Sequence, residues 1–412
     1  MSFFKVKNDF ATRIFGTQCV KRTKSSPIQR VPFEILSEIF IIYSKEEVLA
    51  SMKISSVCRF WRETILATPL AWTYICGAGI EETRISVEQY SRLLERSHPH
   101  PLFGKVDHVL EFRLHRESLT GGDELCACPK LKRIFEYSDR LRCLSIDCSW
   151  LTEEYPTLLF PNLEHLTLLV NLITKKLDMS RFPKLWHLRI PNCPFGITQL
   201  DFANQHRPQL RYLEIIVSFR DFWTPVSGMF ASSLVTFILS GYVITGQRSE
   251  RDIELPQLQS LIIYDDDVDK RENSLLVLSV PRLNYLEHRS RQKPLPSGLV
   301  RDHRELVHMR TNHLPRLCDY PSLRILQVED SKCNLLLDIS VQLESDSTVC
   351  PELNTIEAKF NEAFIYPRIY VYNVQKRIRS RNEKAGSNIT LITCQKWPTI
   401  IPIGSHEVKV KA

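Results

Sequence analysis

The sequence predicts an α/β chain in two parts, a small helical unit followed by an array of short parallel strands. Three observations carry that expectation. Two apolar blocks, "VPFEILSEIFIIY" at 31–43 and "VCRFWRETILATPLAW" at 57–72, place their apolar residues at helical spacing. Behind them an L-x-x-L-x-L motif recurs, and its first leucines (Leu141, Leu163, Leu185, Leu210, Leu234, Leu258 and Leu283) stand 22 to 25 residues apart. Glycine is sparse, at 13 of 412 residues, and no GxGxxG, P-loop or GxSxG sequence is present, which excludes the familiar phosphate-cradling and nucleophile-elbow designs.

Taken in chain order, residues 1–29 form a basic tail. The start, "MSFFKVKNDFATRIF", carries lysines where a secretory signal would have its apolar run, so a disordered tail is expected. Residues 30–78 form the helical unit. Pro32 suits the first helical position, and Glu34 favours the positive end of the helix dipole. Ile35, Leu36, Ile39, Phe40 and Tyr43 then share one broad apolar face. Ser44 and Glu47 have the spacing of a capping box that would open a second helix. A further stripe runs through Ile54, Val57, Cys58, Trp61 and Ile65, with Arg59, Arg62 and Glu63 opposite, until Pro69 ends it. A unit of about 45 residues buries too little of its own surface to stand comfortably alone, so it must pack on the rest of the chain, on a partner, or on both.

Residues 79–395 hold the repeats. "FPNLEHLTL" begins at 160, "FPKLWHLRI" at 182, "LPQLQSLII" at 255, "VPRLNYLEH" at 280, "YPSLRILQV" at 320 and "CPELNTIEA" at 350. The last two apolar positions of each motif alternate as in a strand with one buried face, and the proline is expected to deliver the chain in extended form. A βαβ unit needs about 30 residues or more, so the shorter period favours an irregular leucine-rich-repeat solenoid with a parallel concave sheet. "VEQYSRLLERS" at 87–97 reads as an outer helix before a first strand near "KVDHVLEF". The stretch 290–319 breaks the rhythm, with Leu306 marking a degenerate repeat; a last helix and closing strand end the domain, and 396–412 is a tail.

The match of "VPFEILSEIF…SSVCRFWRETILATPLAW" extends to order and spacing: these residues resemble an F-box of the form common in fungal proteins. The resemblance covers about a ninth of the chain. Val31 stands where leucine is usual, and "PLAW" replaces the commoner leucine–tryptophan ending. It implies docking onto the small adaptor subunit of an SCF-type cullin–RING ubiquitin ligase, and through that subunit onto cullin and RING subunits. Pro32, Ile35, Leu36, Ile39, Val57, Cys58 and Trp61 are the matching positions. The expected function is therefore substrate recognition for ubiquitin-dependent degradation. An F-box interaction protein acting outside a ligase is the alternative.

The client protein, of unknown identity, would meet the strand side chains that point away from the buried leucines: Asp147, His165, His187, Arg189, Tyr212, Glu214, Tyr264, Tyr285, Glu287, Arg289, Glu329 and Glu357. No catalytic residues, metal or cofactor are expected, and the chain is not read as an enzyme. "SHPHP" has no third metal ligand, and "YDDDVD" lacks the spacing of a calcium loop. The net charge of +7 is modest, and the cluster "QKRIRSRNEK" at 375–384 lacks interleaved aromatics, so it reads as a solvated helix face and not a nucleic-acid site. The twelve cysteines form no CxxC pair and read as reduced thiols. With no apolar run long enough to span a membrane, a cytoplasmic or nuclear protein is expected.

Overall fold

In the computed structural model the two apolar blocks form three helices, α1 (Phe33–Glu46), α2 (Ala50–Val57) and α3 (Arg59–Leu66). The structure describes residues 30–47, 49–76, 86–105, 129–169, 176–193, 200–201, 209–217, 229–241, 253–265, 277–291, 294–295, 300–330, 334–360 and 367–394. The expected tails, 1–29 and 396–412, lie outside them.

Pro32 is the cap of α1 and not its first residue, its carbonyl accepting from Leu36 N–H at 3.1 Å. Leu36, Phe40 and Ser44, four residues apart, line the buried side. The capping box expected at Ser44 and Glu47 does not form: the i, i+4 stripe carries α1 through Ser44, whose small side chain fits the interior, and Glu47 lies past the helix end. Helix α2 instead starts from Leu49 in the left-handed region (φ 62°). Cys58 caps α3 through its Sγ, which accepts from Trp61 N–H at 3.4 Å. The Trp61 and Phe40 rings meet at 5.2 Å, and the Thr68 hydroxyl donates to the Thr64 carbonyl at 2.8 Å and lies 3.1 Å from the Ser37 hydroxyl, tying the end of the unit to α1.

The chain divides into two compact units between Ala71 and Trp72. The boundary expected at residue 78 is thus too late, because β1 (Tyr74–Cys76) already pairs in parallel with β2 (Leu102–Lys105). The first strand of the sheet precedes the outer helix α4 (Val87–Arg96) instead of following it, and most of "KVDHVLEF" lies outside the described residues. Trp72 is the anchor of this start, fully buried with the Arg96 guanidinium 4.7 Å above its ring.

The second unit is an α/β body built on a thirteen-stranded parallel sheet whose neighbours follow chain order. After β1 and β2 come α5 (Pro129–Phe135), β3 (Leu141–Asp147), β4 (His165–Leu169), β5 (Leu177–Asp178), β6 (His187–Cys193), β7 (Leu200–Asp201), β8 (Tyr212–Val217) and β9 (Thr236–Gly241). Then follow β10 (Ile253–Glu254), β11 (Ser260–Asp265), β12 (Leu278–Ser279), β13 (Tyr285–Ser290), β14 (Val300–Arg301), β15 (His308–Thr311) and β16 (Ile325–Asp330). Helix α6 (Leu335–Ser345), β17 (Thr355–Phe360), α7 (Pro367–Ala385) and β18 (Thr390–Cys394) close the unit. The two-residue strands pair among themselves, β10–β12–β14 and β5–β7, on the returns between the long strands. The disturbed stretch at 290–319 does contribute a strand, β15, paired on both sides.

Each motif supplies two apolar side chains that explain this sheet. The first leucine, from Leu141 to Leu353, is buried in every repeat. The second aligns across strands as Leu144, Leu166, Leu188, Leu213, Phe237, Leu261, Leu286, Met309, Leu326 and Ile356, all buried. Full burial of one such side chain is worth roughly 1.5–3 kcal/mol, so the in-register column is the main stabilising feature of the unit. The prolines act differently from the expectation. In Phe160-Pro161-x-Leu163 the Phe160 carbonyl accepts from Leu163 N–H at 3.2 Å, and the same bond recurs at Phe182–Leu185, Leu255–Leu258, Val280–Leu283, Tyr320–Leu323 and Cys350–Leu353. Proline therefore occupies the second position of a tight turn, where its fixed φ fits, and aims the leucine inward. Pro191, inside β6, lacks the ladder N–H and coincides with a register shift between Ile190 and Cys193.

Buried polar groups join the returns to the sheet. Arg181, buried beside Phe160 and Phe182, donates to the carbonyls of Leu151, Tyr155 and Leu158 at 2.6–2.8 Å, and burial lowers its pKa to about 10. Asp330 accepts from Asn334 and Leu336 N–H and from the Tyr370 hydroxyl at 2.6 Å, fixing α6 and α7 to the end of β16. The basic cluster on α7 is only partly a solvated face: Arg377 pairs with Glu344, and Arg381 is buried, donating to the Val349 carbonyl at 3.1 Å. Among the described residues no helix is long and apolar enough to cross a membrane.

Candidate functional site

Two surfaces collect the residues singled out in the sequence, one on each unit. On the helical unit the expected broad face of α1 splits. Leu36 and Phe40 turn inward with Ile54 and Ile65, while Ile35 (53% exposed), Ile39 (50%), Ile42 (55%) and Val57 (60%) remain in solvent. Pro32 and Cys58 are exposed, and Trp61 is half-buried against Phe40. Leu36 is therefore a core residue and not a surface contact, and Ile42, Phe33 and Tyr43 join the exposed apolar set that the sequence list omitted. The signal for Ile42 was available: it lies three residues after Ile39 on the same side.

On the sheet, alternation places the remaining candidates on the face opposite the leucine column. His165, His187 and Tyr212 are in register on adjacent strands, and the His187 and Tyr212 rings stack at 3.9 Å. Two residues further along runs the row Arg189, Glu214, Ile238, Ile262, Glu287, Arg310, Gln327 and Glu357. Beyond it, Tyr264 is in register with Arg289, and Glu329 with Lys359.

These side chains form two charged centres separated by an apolar floor. At the first, Arg189 Nε donates to Glu214 at 2.9 Å, and the Tyr212 hydroxyl donates to the same carboxylate at 3.1 Å. At the second, the carboxylate of the buried Glu287 accepts from the hydroxyls of Tyr285 at 2.6 Å and Tyr264 at 3.2 Å. Arg289 Nε lies 2.8 Å and Arg310 Nη1 3.7 Å from that carboxylate. Arg289 also reaches Glu329 at 3.5 Å, which Lys359 meets at 3.4 Å, so one ion network crosses β13, β15, β16 and β17. Gln327 Nε2 donates to Glu357 at 2.8 Å. Between the centres Ile238 and Ile262 are covered by Tyr212 and Tyr285, with Trp186 and Tyr264 packed alongside.

Burial sets the protonation states. It pushes Tyr264 up to about 12 and moves Tyr212 and Tyr285 up as well, with the adjoining carboxylates adding to the effect, so the hydroxyls stay protonated and donate. It holds His187 down at about 3, helped by His165 and Arg189, so this ring is a neutral stacking surface. In both centres the acid lies deeper than the cation: Glu214 and Glu287 side chains are 15% and 4% exposed, Arg189 and Arg289 48% and 32%. The carboxylates thereby hold the tyrosine hydroxyls and the arginine side chains in fixed positions on this face.

Comparison of the chain with protein-family models and with curated proteins finds no match. The reading of the two surfaces rests on their own chemistry. Of the twelve sheet candidates, eleven fall in the rows and centres just described. Asp147 does not: its carboxylate is buried, accepting from Ser149 N–H and Oγ at 2.9 Å, and serves as a local turn cap. Arg310, Lys359, Trp186 and the floor residues Ile238 and Ile262 were missed. Arg310 sat in the degenerate repeat "ELVHMRT", and the isoleucines were passed over because apolar residues on an outward row look like core. Among the described residues no three metal-ligating groups converge, and the Cys143 and Cys350 thiols are pushed by burial up to about 12, which leaves them unreactive.

Proposed function

We propose that the protein is a substrate-recognition adaptor of an SCF-type cullin–RING ubiquitin ligase. Its helical unit, which resembles an F-box, docks the ligase adaptor subunit. The face of the second unit, read as an irregular leucine-rich-repeat solenoid, holds a client protein. The observation that carries the reading is the apolar face of α1 and α2: Ile35, Ile39, Ile42 and Val57 stay in solvent although the unit has a formed core of Leu36, Phe40, Ile54 and Ile65. Apolar side chains left in solvent beside a formed core are what a protein contact would cover. Parallel strands in chain order with a 22- to 25-residue period support the solenoid. The mechanism is tethering: holding the client beside the ubiquitin-conjugating machinery raises the effective concentration of its lysines, while other subunits carry the chemistry.

Co-purification with the ligase adaptor subunit tests this reading. Ile39→Asp places a charge in the exposed face and is expected to abolish the complex, with the circular dichroism spectrum unchanged. Leu36→Ala instead opens a cavity in the core and is expected to cost about 2–5 kcal/mol of stability. An unmutated chain that captures no adaptor subunit, or an Ile39→Asp chain that captures it as well as the original, would sink the proposal.

A further inference from the structure

Helix α7 buries one side and leaves the other to solvent. Val374, Ile378 and Arg381 are buried, while Tyr370 bonds to Asp330 and Arg377 pairs with Glu344 of α6. The opposite side carries the exposed residues Arg368, Tyr372, Lys376 and Arg379, successive helical turns apart, with Ile369 beside them. The stripe runs about 17 Å along the helix. Ile369 is 67% and Tyr372 62% exposed, the two most exposed large apolar side chains among the described residues. Neither contributes to the core.

The charges on this stripe are uncommitted. Among the described residues no carboxylate pairs with Arg368, Lys376 or Arg379; Glu344 is taken by Arg377, and Glu383 lies at the far end of the face. Read along the chain, the cluster "QKRIRSRNEK" holds no aromatic, but on the helix surface Tyr372 stands one turn before Lys376 and shares its side. Cations and apolar groups are therefore mixed on one solvent-facing side of a folded helix.

That mixture fits a lipid surface with anionic headgroups. Long basic side chains keep their charge among the headgroups while their stems and the neighbouring apolar side chains enter the boundary with the acyl chains. Tyrosine suits the same boundary, since one end of its ring is apolar and the other polar. The outer side of a helix is convex, so a flat, fluid surface reaches the whole stripe. A single-stranded nucleic acid is a poorer match: it would find one aromatic ring on which to stack, and Ile369 offers it nothing.

We propose that the exposed side of α7 is a contact site for an anionic lipid bilayer, on whose surface the helix lies without crossing it. The site belongs to neither surface assigned above and does not depend on the adaptor reading.

Flotation of the full chain with phosphatidylcholine vesicles containing about 30% phosphatidylserine, at about 0.1 M ionic strength, tests it. The chain is expected to float with these vesicles and to stay behind with phosphatidylcholine alone. Each cation near such a surface strengthens binding about fivefold, so Lys376→Gln with Arg379→Gln is expected to weaken it by about tenfold or more. Ile369→Ser with Tyr372→Ser keeps every charge, removes the apolar part, and is expected to weaken binding by about fivefold or more. All four positions are exposed, so the circular dichroism spectrum is expected to stay unchanged. Residues 1–29 are also basic, and the control is therefore Lys132→Gln with Arg304→Gln, which removes the same charge at two exposed positions elsewhere. It is expected to change the affinity by less than about threefold. The proposal is overturned if the chain does not float with the anionic vesicles, if either α7 pair floats as the original does, or if the control pair loses as much as Lys376→Gln with Arg379→Gln. An α7 charge pair that keeps the vesicles and loses binding to poly(U) assigns the face to nucleic acid instead.

Discussion

Replacing Glu287 by alanine is expected to lower the stability of the chain by about 3–5 kcal/mol, the usual loss when one member of a buried ion pair is removed. The reason is what stays behind. Arg310 and Arg289 lose the carboxylate at 3.7 and 2.8 Å, and the hydroxyls of Tyr285 and Tyr264 lose the acceptor they share. Arg310 is only 11% exposed in its side chain, so water cannot easily replace that carboxylate. Glu287→Gln keeps the shape and one acceptor but not the charge, and it is expected to recover part of the loss through the tyrosine bonds. Urea unfolding followed by tryptophan fluorescence, with Trp186 beside the affected floor, measures both. A loss under about 1 kcal/mol in the alanine variant would mean the network is a surface decoration. Under the proposed function, the same variant is expected to leave capture of a ligase adaptor subunit intact, since that contact is proposed for α1 and α2.

Acid is the second large lever. His187 and His288 are held neutral by burial, at about 3 and about 4, whereas in the unfolded chain each takes up a proton near pH 6.5. His308 is lowered for the same reason. The unfolded state therefore binds more protons than the folded state below pH 6.5, and stability falls as the solution is acidified. The contribution is complete above pH 6.5 and is lost progressively as pH drops toward 4 for His288 and toward 3 for His187. Each ring contributes a slope of up to about 1.4 kcal/mol per pH unit in that window, so the pair approaches about 2.7. Between pH 6.5 and 5 most carboxylates have yet to titrate, and unfolding free energies measured there isolate the histidines. His288→Leu is expected to remove one ring's share of the slope, up to about 1.4 kcal/mol per pH unit. A stability that stays flat from pH 6.5 to 5 would contradict the neutral buried rings.

The strands were legible because their leucines are spaced by the geometry they must satisfy. One buried column needs an apolar side chain at the same place in every repeat, and Leu141 through Leu353 record it in the sequence. The polar face was legible for the same reason: alternation in a strand is a local property, and it assigned His187, Arg189, Tyr212, Glu214 and Glu287 to one side. Other features were not local. Whether Glu287 lies open or buried depends on four side chains from three strands, β11, β13 and β15. Whether Ser44 caps a helix or lies inside one depends on what Leu36 and Phe40 pack against. The missed boundary at Ala71 has a similar origin, since a three-residue strand such as Tyr74–Cys76 carries no periodicity and is defined by its neighbour Leu102–Lys105.

The sequence by itself determined the two-part plan, the parallel-strand repeat and many of the side chains opposite the leucines. Each follows from spacing along the chain, through helical and strand periods that any window of residues expresses. Tertiary structure decided which face of α1 is core and which is left in solvent. It also decided which outward residues are held beneath others, and that the His288 ring is buried. Those outcomes are set by contacts between segments far apart in the chain, and the free energy of burying or pairing a group is fixed only when its neighbours across the fold are in place.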